Sequence, residues 1–203
     1  MDFNFLFLRK ISGLDISSVL DIGAHFGIFT KNMHELYPNL EYHMIEANIN
    51  CQERLKQISY ATYGIHLLSN TEREICYYMN KNDITSTGNS YYRELSEHFN
   101  DDNVLKVDIQ STTLDKLFPN KSFDFVKLDT QGSEIDILQG GLQFLSNTKY
   151  ILLECSMFEY NENSPQIQDI FSYMHSIGFS SKMELNNHIQ NGSIVQKDIL
   201  FRR

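Results

Sequence analysis

The chain has 203 residues, 41% of them hydrophobic with 14 Phe and 11 Tyr, enough for one domain that buries about 70% of its unfolded surface without disulfides or a metal. Its formal net charge of −9, with no more than two adjacent Lys or Arg anywhere, argues against a face that grips a phosphate backbone, so no nucleic-acid partner is expected. No apolar run approaches the ~20 residues of a membrane span, and the scattered Cys51, Cys76 and Cys155 lack the pairing of a disulfide framework or zinc site.

The apolar start Phe3 to Leu8 is too short for a signal peptide, carries Asp2 ahead of it and has no small-residue cleavage site behind it, so a cytoplasmic location is expected. Ser18 to Ile22 is a short buried strand that ends on a glycine turn. A helix from Gly27 to Leu36 follows, stopped by Pro38. Tyr42 to Glu46 is a second strand, and Asn48 caps a helix running to about Ile58. A third strand near Ile65 to Leu68 precedes an extra strand from Glu74 to Met79. Residues 80–90 are polar and turn-rich, a loop before a short helix from Tyr91 to Phe99. Val104 to Ser111 alternates like an edge strand. Phe123 to Asp129 is a central strand, followed by a helix from about Ser133 to Leu145 and a strand from Tyr150 to Glu154. Gln166 to Ile177 is a helix whose end is marked by Gly178. Strands near Phe179 to Glu184 and Ile194 to Phe201 close the chain as a hairpin, its tip at Asn186-Asn187 or Asn191-Gly192. Short apolar runs alternating with amphipathic stretches predict an α/β domain with a doubly wound, mostly parallel sheet of seven core strands and a C-terminal antiparallel hairpin.

The sharpest local signal is Asp21-Ile-Gly23-Ala24-His25-Phe-Gly27, directly after a strand and opening a helix. Gly23 and Gly27 allow a tight turn and close backbone approach to a ligand, with Ala24 between them. Nicotinamide-binding turns place a pyrophosphate on the helix N-terminus. Here the strand carries Asp21 just before the glycine, and its carboxylate would repel a pyrophosphate but suit an ammonium and a sulfonium. S-adenosylmethionine is therefore the expected ligand. Glu46, at the end of the second strand, is placed to accept hydrogen bonds from both ribose hydroxyls. Asn70, just past the third strand, is a candidate for the adenine edge.

Four further pieces follow in order: Thr112-Thr-Leu-Asp-Lys-Leu117, Val126-Lys-Leu-Asp-Thr-Gln-Gly-Ser-Glu134, Ile137-Leu-Gln-Gly-Gly141 and Ile151-Leu-Leu-Glu154. The series, from about Ser18 to Gly178, resembles the FkbM-type methyltransferases. Those carry a T-L-D element, a K-I-D-x-E-G-x-E strand-turn-helix, an L-x-G helix segment and a closing E strand. One position departs: the acid usual between Asp129 and the glycine is Gln131. The resemblance implies a Rossmann-like class I methyltransferase fold. It also implies methyl transfer from S-adenosylmethionine to a hydroxyl of a saccharide or other small-molecule acceptor. On that reading residues 18–203 form the cofactor-binding domain, behind a helical segment over residues 1–17. A nitrogen acceptor and a non-catalytic binding module remain the alternatives, the latter because of Gln131.

A hydroxyl is a poor nucleophile at neutral pH, so a positioned base is expected to take its proton as the bond forms. Asp129 ends a central strand at the side where doubly wound sheets place ligands, and is the first choice. Lys127 shares its face of the sheet, as a direct participant or as the ion-pair partner of a carboxylate. Glu154 ends the next strand and could face the same pocket. His25, inside the glycine turn, has the right unperturbed pKa to act near neutrality.

Overall fold

The computed structural model describes residues 3–190 and 192–203. A 3-10 turn segment, Phe3–Ile11, comes first. The strands are β1 (Ser18–Ile22), β2 (Glu41–Glu46), β3 (Thr62–Ile65), β4 (Leu67–Leu68), β5 (Glu74–Asn80), β6 (Val104–Thr112), β7 (Phe125–Leu128), β8 (Tyr150–Ser156), β9 (Ser181–Gln190) and β10 (Ser193–Arg202). The α-helices are α1 (Ile28–Leu36), α2 (Gln52–Leu55), α3 (Leu114–Leu117), α4 (Glu134–Gln139) and α5 (Ile167–Ser176).

Seven strands form one sheet in the order β3-β2-β1-β7-β8-β10-β9, parallel apart from β10, which runs antiparallel to both neighbours. Winding outward from β1 to β3 and then restarting on the other side at β7 makes the β1–β7 junction the switch point of the sheet. Alternation along the strands separates two cores. Leu20, Ile22, Val126, Leu128, Ile151 and Leu153 join Ile137, Leu138, Ile170 and Met174 beneath α4 and α5. Val19, Phe125, Leu152 and Leu200 join Phe29 and Met33 of α1 and Leu8 and Ile11 of the N-terminal turn. Five consecutive buried residues in β1 fit a strand covered on both faces.

Several boundaries differ from the sequence expectation. The helix capped by Asn48 is a 3-10 turn, Ile49–Cys51, followed by the four residues of α2; the cap itself stands, its side chain accepting from the Asn50 N–H. The predicted third strand divides at His66, β3 pairing with β2 and β4 with β6. β5 and β6 lie outside the main sheet in a three-stranded sheet ordered β4-β6-β5, so β6 is its middle strand rather than an edge. The polar positions of its alternation face water on one side of that small sheet. Only Glu97–Phe99 of the predicted helix over 91–99 is helical, as a 3-10 turn, and Glu94 bridges to Asn161. The helix after β7 stops at Gln139 because Gly140 and Gly141 sit tightly against Ser69 and Leu114. β9 runs through Asn186 and Asn187, which pair with Asp198 and Lys197, so they are not the hairpin tip. The alternative tip includes Asn191, which lies outside the described residues, next to Gly192 with its left-handed φ of +79°.

Candidate active site

The carboxyl ends of β1, β2, β7 and β8 converge on a cavity of about 340 Å³, of the size that takes a small cofactor. Its wall includes Gly23, His25, Glu46, Asp129 and Glu154, five positions singled out from sequence. Asp21, Ala24, Gly27, Asn70 and Lys127 do not line it.

Gly23 and His25 both hold left-handed backbone conformations, φ +72° and +50°. A Cβ on Gly23 would lie 1.9 Å from the Asp129 backbone oxygen, so the close approach here is to the end of β7. Gly27, φ +71°, meets Ile58 and Met44 instead, the packing that seats α1 on the sheet. For Gly23→Ala the contact is backbone against backbone, and no rotamer relieves it. We expect a loss of about 2 kcal/mol or more, hence a melting temperature lower by at least about 4 °C in calorimetry. A variant as stable as the parent would mean that the turn moves freely away from β7.

Asp21, fully buried, is turned away from the cavity. Its Oδ2 accepts from the Thr30 hydroxyl at 2.8 Å, and its Oδ1 faces the Lys127 ammonium at 3.2 Å. Asp21 and Lys127 are register partners across β1 and β7, which explains their meeting on the α1 face. Lys127 also donates to the Gly23 carbonyl at 2.9 Å and lies 3.5 Å from Asp129 Oδ2. Burial alone would lower the Lys127 pKa; Asp21 and Asp129 outweigh it and hold the ammonium charged beyond the usual lysine range. It therefore pins the turn and two carboxylates together and has no lone pair for a proton.

Glu46 is 8% exposed. Its Oε2 accepts the His25 N–H at 2.7 Å and its Oε1 the Asn48 N–H at 2.8 Å. Burial raises its pKa, and these two backbone donors pull it back. The His25 ring stacks on Phe26 and bonds through Nε2 to the Thr85 carbonyl at 2.7 Å. A carbonyl only accepts, so that nitrogen carries a proton. Asn48 Nδ2 donates to the Ile84 carbonyl at 2.6 Å, and the Ser90 hydroxyl lies 3.0 Å from the Thr130 and Gln131 carbonyls. These bonds tie the loop over residues 83–90 across the cavity, where Ser86, Thr87 and Tyr91 join the wall. The Tyr91 and Tyr92 hydroxyls both donate to Asp136 Oδ2 at 3.2 Å, but Tyr92 does not line the cavity.

Gln131, at φ +56°, donates through one amide nitrogen to Asp129 Oδ1 at 3.1 Å and Glu154 Oε2 at 2.9 Å. An acid there would add a third negative charge; the amide instead bridges two carboxylates. Glu154 also accepts from Gln196 at 2.7 Å. Burial first, then Asp129, Asp198 and Glu134, push its pKa well above the ordinary carboxylate range. Glu134, also buried, accepts from the Thr130 N–H and hydroxyl and so braces the turn after β7. Asn70 lies 3.3 Å from Gln139 and 3.5 Å from Asp136, beside α4. Gln196, His188 and Asp198 escaped the sequence reading because no local motif surrounds them; the strand order β8-β10-β9 alone brings them to Glu154.

A mostly parallel seven-stranded sheet with one antiparallel C-terminal hairpin, opening at its switch point on a glycine turn and an acid-ended second strand, is the fold of the class I methyltransferases. Residues 21–181 match the family model for the methyltransferase FkbM domain, and the chain belongs to that family. Among solved structures, methyltransferase FkbM from Methylobacillus flagellatus KT superposes with a TM-score of 0.63 at 15% identity, over 92% of this chain and 44% of that one. The N-terminal domain of EvdMO1 with S-adenosylhomocysteine (SAH) bound gives 0.55 at 10% identity, over 97% and 77%. An O-methyltransferase family protein from Burkholderia thailandensis gives 0.55 at 10% identity, over 97% and 55%. The chain thus spans less than half the length of the first of these and a little over half of the third. Comparison with curated protein sequences finds no match. Among the described residues no helix is long and apolar enough to cross a membrane.

Proposed function

We propose that the chain transfers a methyl group from S-adenosylmethionine to a hydroxyl of a saccharide or other small acceptor. The carrying observation is Glu46: each of its carboxylate oxygens is fixed by one backbone N–H at the cavity wall and keeps acceptor capacity for one ribose hydroxyl. The SAH in the EvdMO1 domain and the O-methyltransferase relative support the cofactor and the oxygen acceptor. Three free cysteines suit a reducing, cytoplasmic setting.

When bound, the cofactor supplies an electrophilic methyl on a sulfonium. The chain's part is alignment, worth about 7–11 kcal/mol of barrier when the geometry is near attack, and removal of the hydroxyl proton. Asp129 is the proposed proton acceptor. It lines both the cofactor cavity and a second cavity beside it, and Gln131 and Lys127 hold its carboxylate in place. Glu154 stands on the same shared wall.

The test is binding of SAH and NADH to the full chain, by titration calorimetry and thermal shift. SAH at 100 times its dissociation constant should add about 2.7 kcal/mol of stability, raising the melting temperature by about 5–10 °C. A shift with NADH and none with SAH would overturn the proposal. Glu46→Gln keeps size but removes the charge and turns an NH2 toward a backbone N–H. SAH affinity should fall at least tenfold, since a charge-assisted bond of about 1.5–3 kcal/mol is lost. Unchanged affinity would place the ribose elsewhere.

A further inference from the structure

A second cavity adjoins the first and shares Thr87, Asp129 and Glu154 with it. On its wall three adjacent strands present Glu154 (β8), Asp198 (β10) and His188 (β9). Asp198 is the register partner of Glu154 on one side and of Asn186 on the other, and His188 follows Asn186 on the same face of β9. His188 Nε2 lies 2.9 Å from Asp198 Oδ2 and 3.6 Å from Glu154 Oε1, and one ligand atom from each residue falls within 4.8 Å of the other two. Donor atoms on an octahedral ion bound at about 2.1 Å stand about 3 Å apart along an edge, so small side-chain shifts would suffice.

The surroundings supply an independent argument. Gln131 and Gln196 both donate to Glu154 Oε2, and Asn186 donates to Asp198 Oδ2 at 3.0 Å. Oε1 of Glu154, in a side chain only 12% exposed, takes no hydrogen bond from a donor among the described residues and lies 3.6 Å from His188 Nε2. Asp129 and Glu134 add negative charge nearby, and Lys127 is already shared among Asp21, Asp129 and the Gly23 carbonyl. Orienting amides behind a histidine and two carboxylates are what a metal's ligands require.

We propose that Glu154, His188 and Asp198 form a binding site for a divalent first-row cation such as Mn²⁺, with its remaining coordination positions open to the second cavity. If the methyl-transfer reading above holds, on which this consequence rests, the ion is placed to ligate the acceptor hydroxyl and make it more acidic. The site itself stands independently of that reading.

The test is calorimetric titration of MnCl2 into the full chain, with electron paramagnetic resonance of the bound ion. One Mn²⁺ per chain is expected. His188→Ala and Asp198→Asn should each weaken it at least tenfold while SAH still raises the melting temperature, which reports that both variants fold. No saturable Mn²⁺ binding overturns the site, and so does binding that both variants retain, which marks an adventitious surface ion only. SAH binding without Mn²⁺ binding removes the site and leaves the cofactor reading intact; the reverse outcome does the opposite.

Discussion

Lys127→Met is expected to lower the melting temperature by on the order of 10 °C. Methionine keeps the apolar stem but leaves Asp21 buried without a cation, takes the donor from the Gly23 carbonyl and removes the charge beside Asp129. Breaking one partner of a buried pair costs about 3–5 kcal/mol, because the remaining charge has neither water nor a counterion. In a chain of this size each kcal/mol lowers the melting temperature by about 2–4 °C. The double variant Asp21→Asn/Lys127→Met should recover part of the loss, since no charge is then stranded. Calorimetry of the three variants decides it. A single variant within about 1 kcal/mol of the parent would show that water replaces the ammonium. SAH affinity should fall alongside stability, because the same ammonium holds the turn that forms the cavity floor.

The largest effect on turnover is expected from Asp129→Asn. The substitution keeps size and most hydrogen bonding but removes basicity, and loss of a general base lowers rates by about 10²–10⁴. Cofactor affinity should move less than threefold, because the lost interaction belongs to the transition state. The measurement is methyl transfer from labelled S-adenosylmethionine at saturating cofactor, with the acceptor found by screening saccharides and small hydroxylated compounds. Glu154→Gln and His25→Ala are the comparisons. Glu154 lines the same cavity wall, although two amides already hold one of its oxygens. His25 has Nε2 committed to the Thr85 carbonyl, so its replacement should loosen the loop over the cavity and weaken SAH binding more than it slows transfer. An Asp129→Asn enzyme within fivefold of the parent ends the assignment of the base to Asp129.

Where the sequence misled, it did so over distance. The carboxylate of Asp21 was expected to face the cofactor's positive groups. Instead its strand position puts it on the α1 face, opposite Lys127. Two carboxylates that read as separate candidates, Asp129 and Glu154, turn out to be joined by the amide that looked like a defect at position 131. The helix expected over 91–99 is displaced by a bridge between Glu94 and Asn161, a pairing between distant segments.

What the sequence by itself determined is local. The glycine turn, the acid closing β2, the cap at Asn48 and the apolar period of β1, β7 and β8 each depend on residues within a few positions of one another. Backbone propensity and alternation of side chains are short-range physics, readable along the chain. The tertiary structure alone decided which side chains meet. It put β10 antiparallel between β8 and β9, drew β4, β5 and β6 into a separate sheet, and closed the loop over 83–90 onto His25 and Asn48. Strand order and register set those meetings, and both follow from the packing of two cores against opposite faces of the sheet. Glu154, Asp198 and His188 are neighbours because β10 returns between β8 and β9, and nothing within any one of those strands announces it.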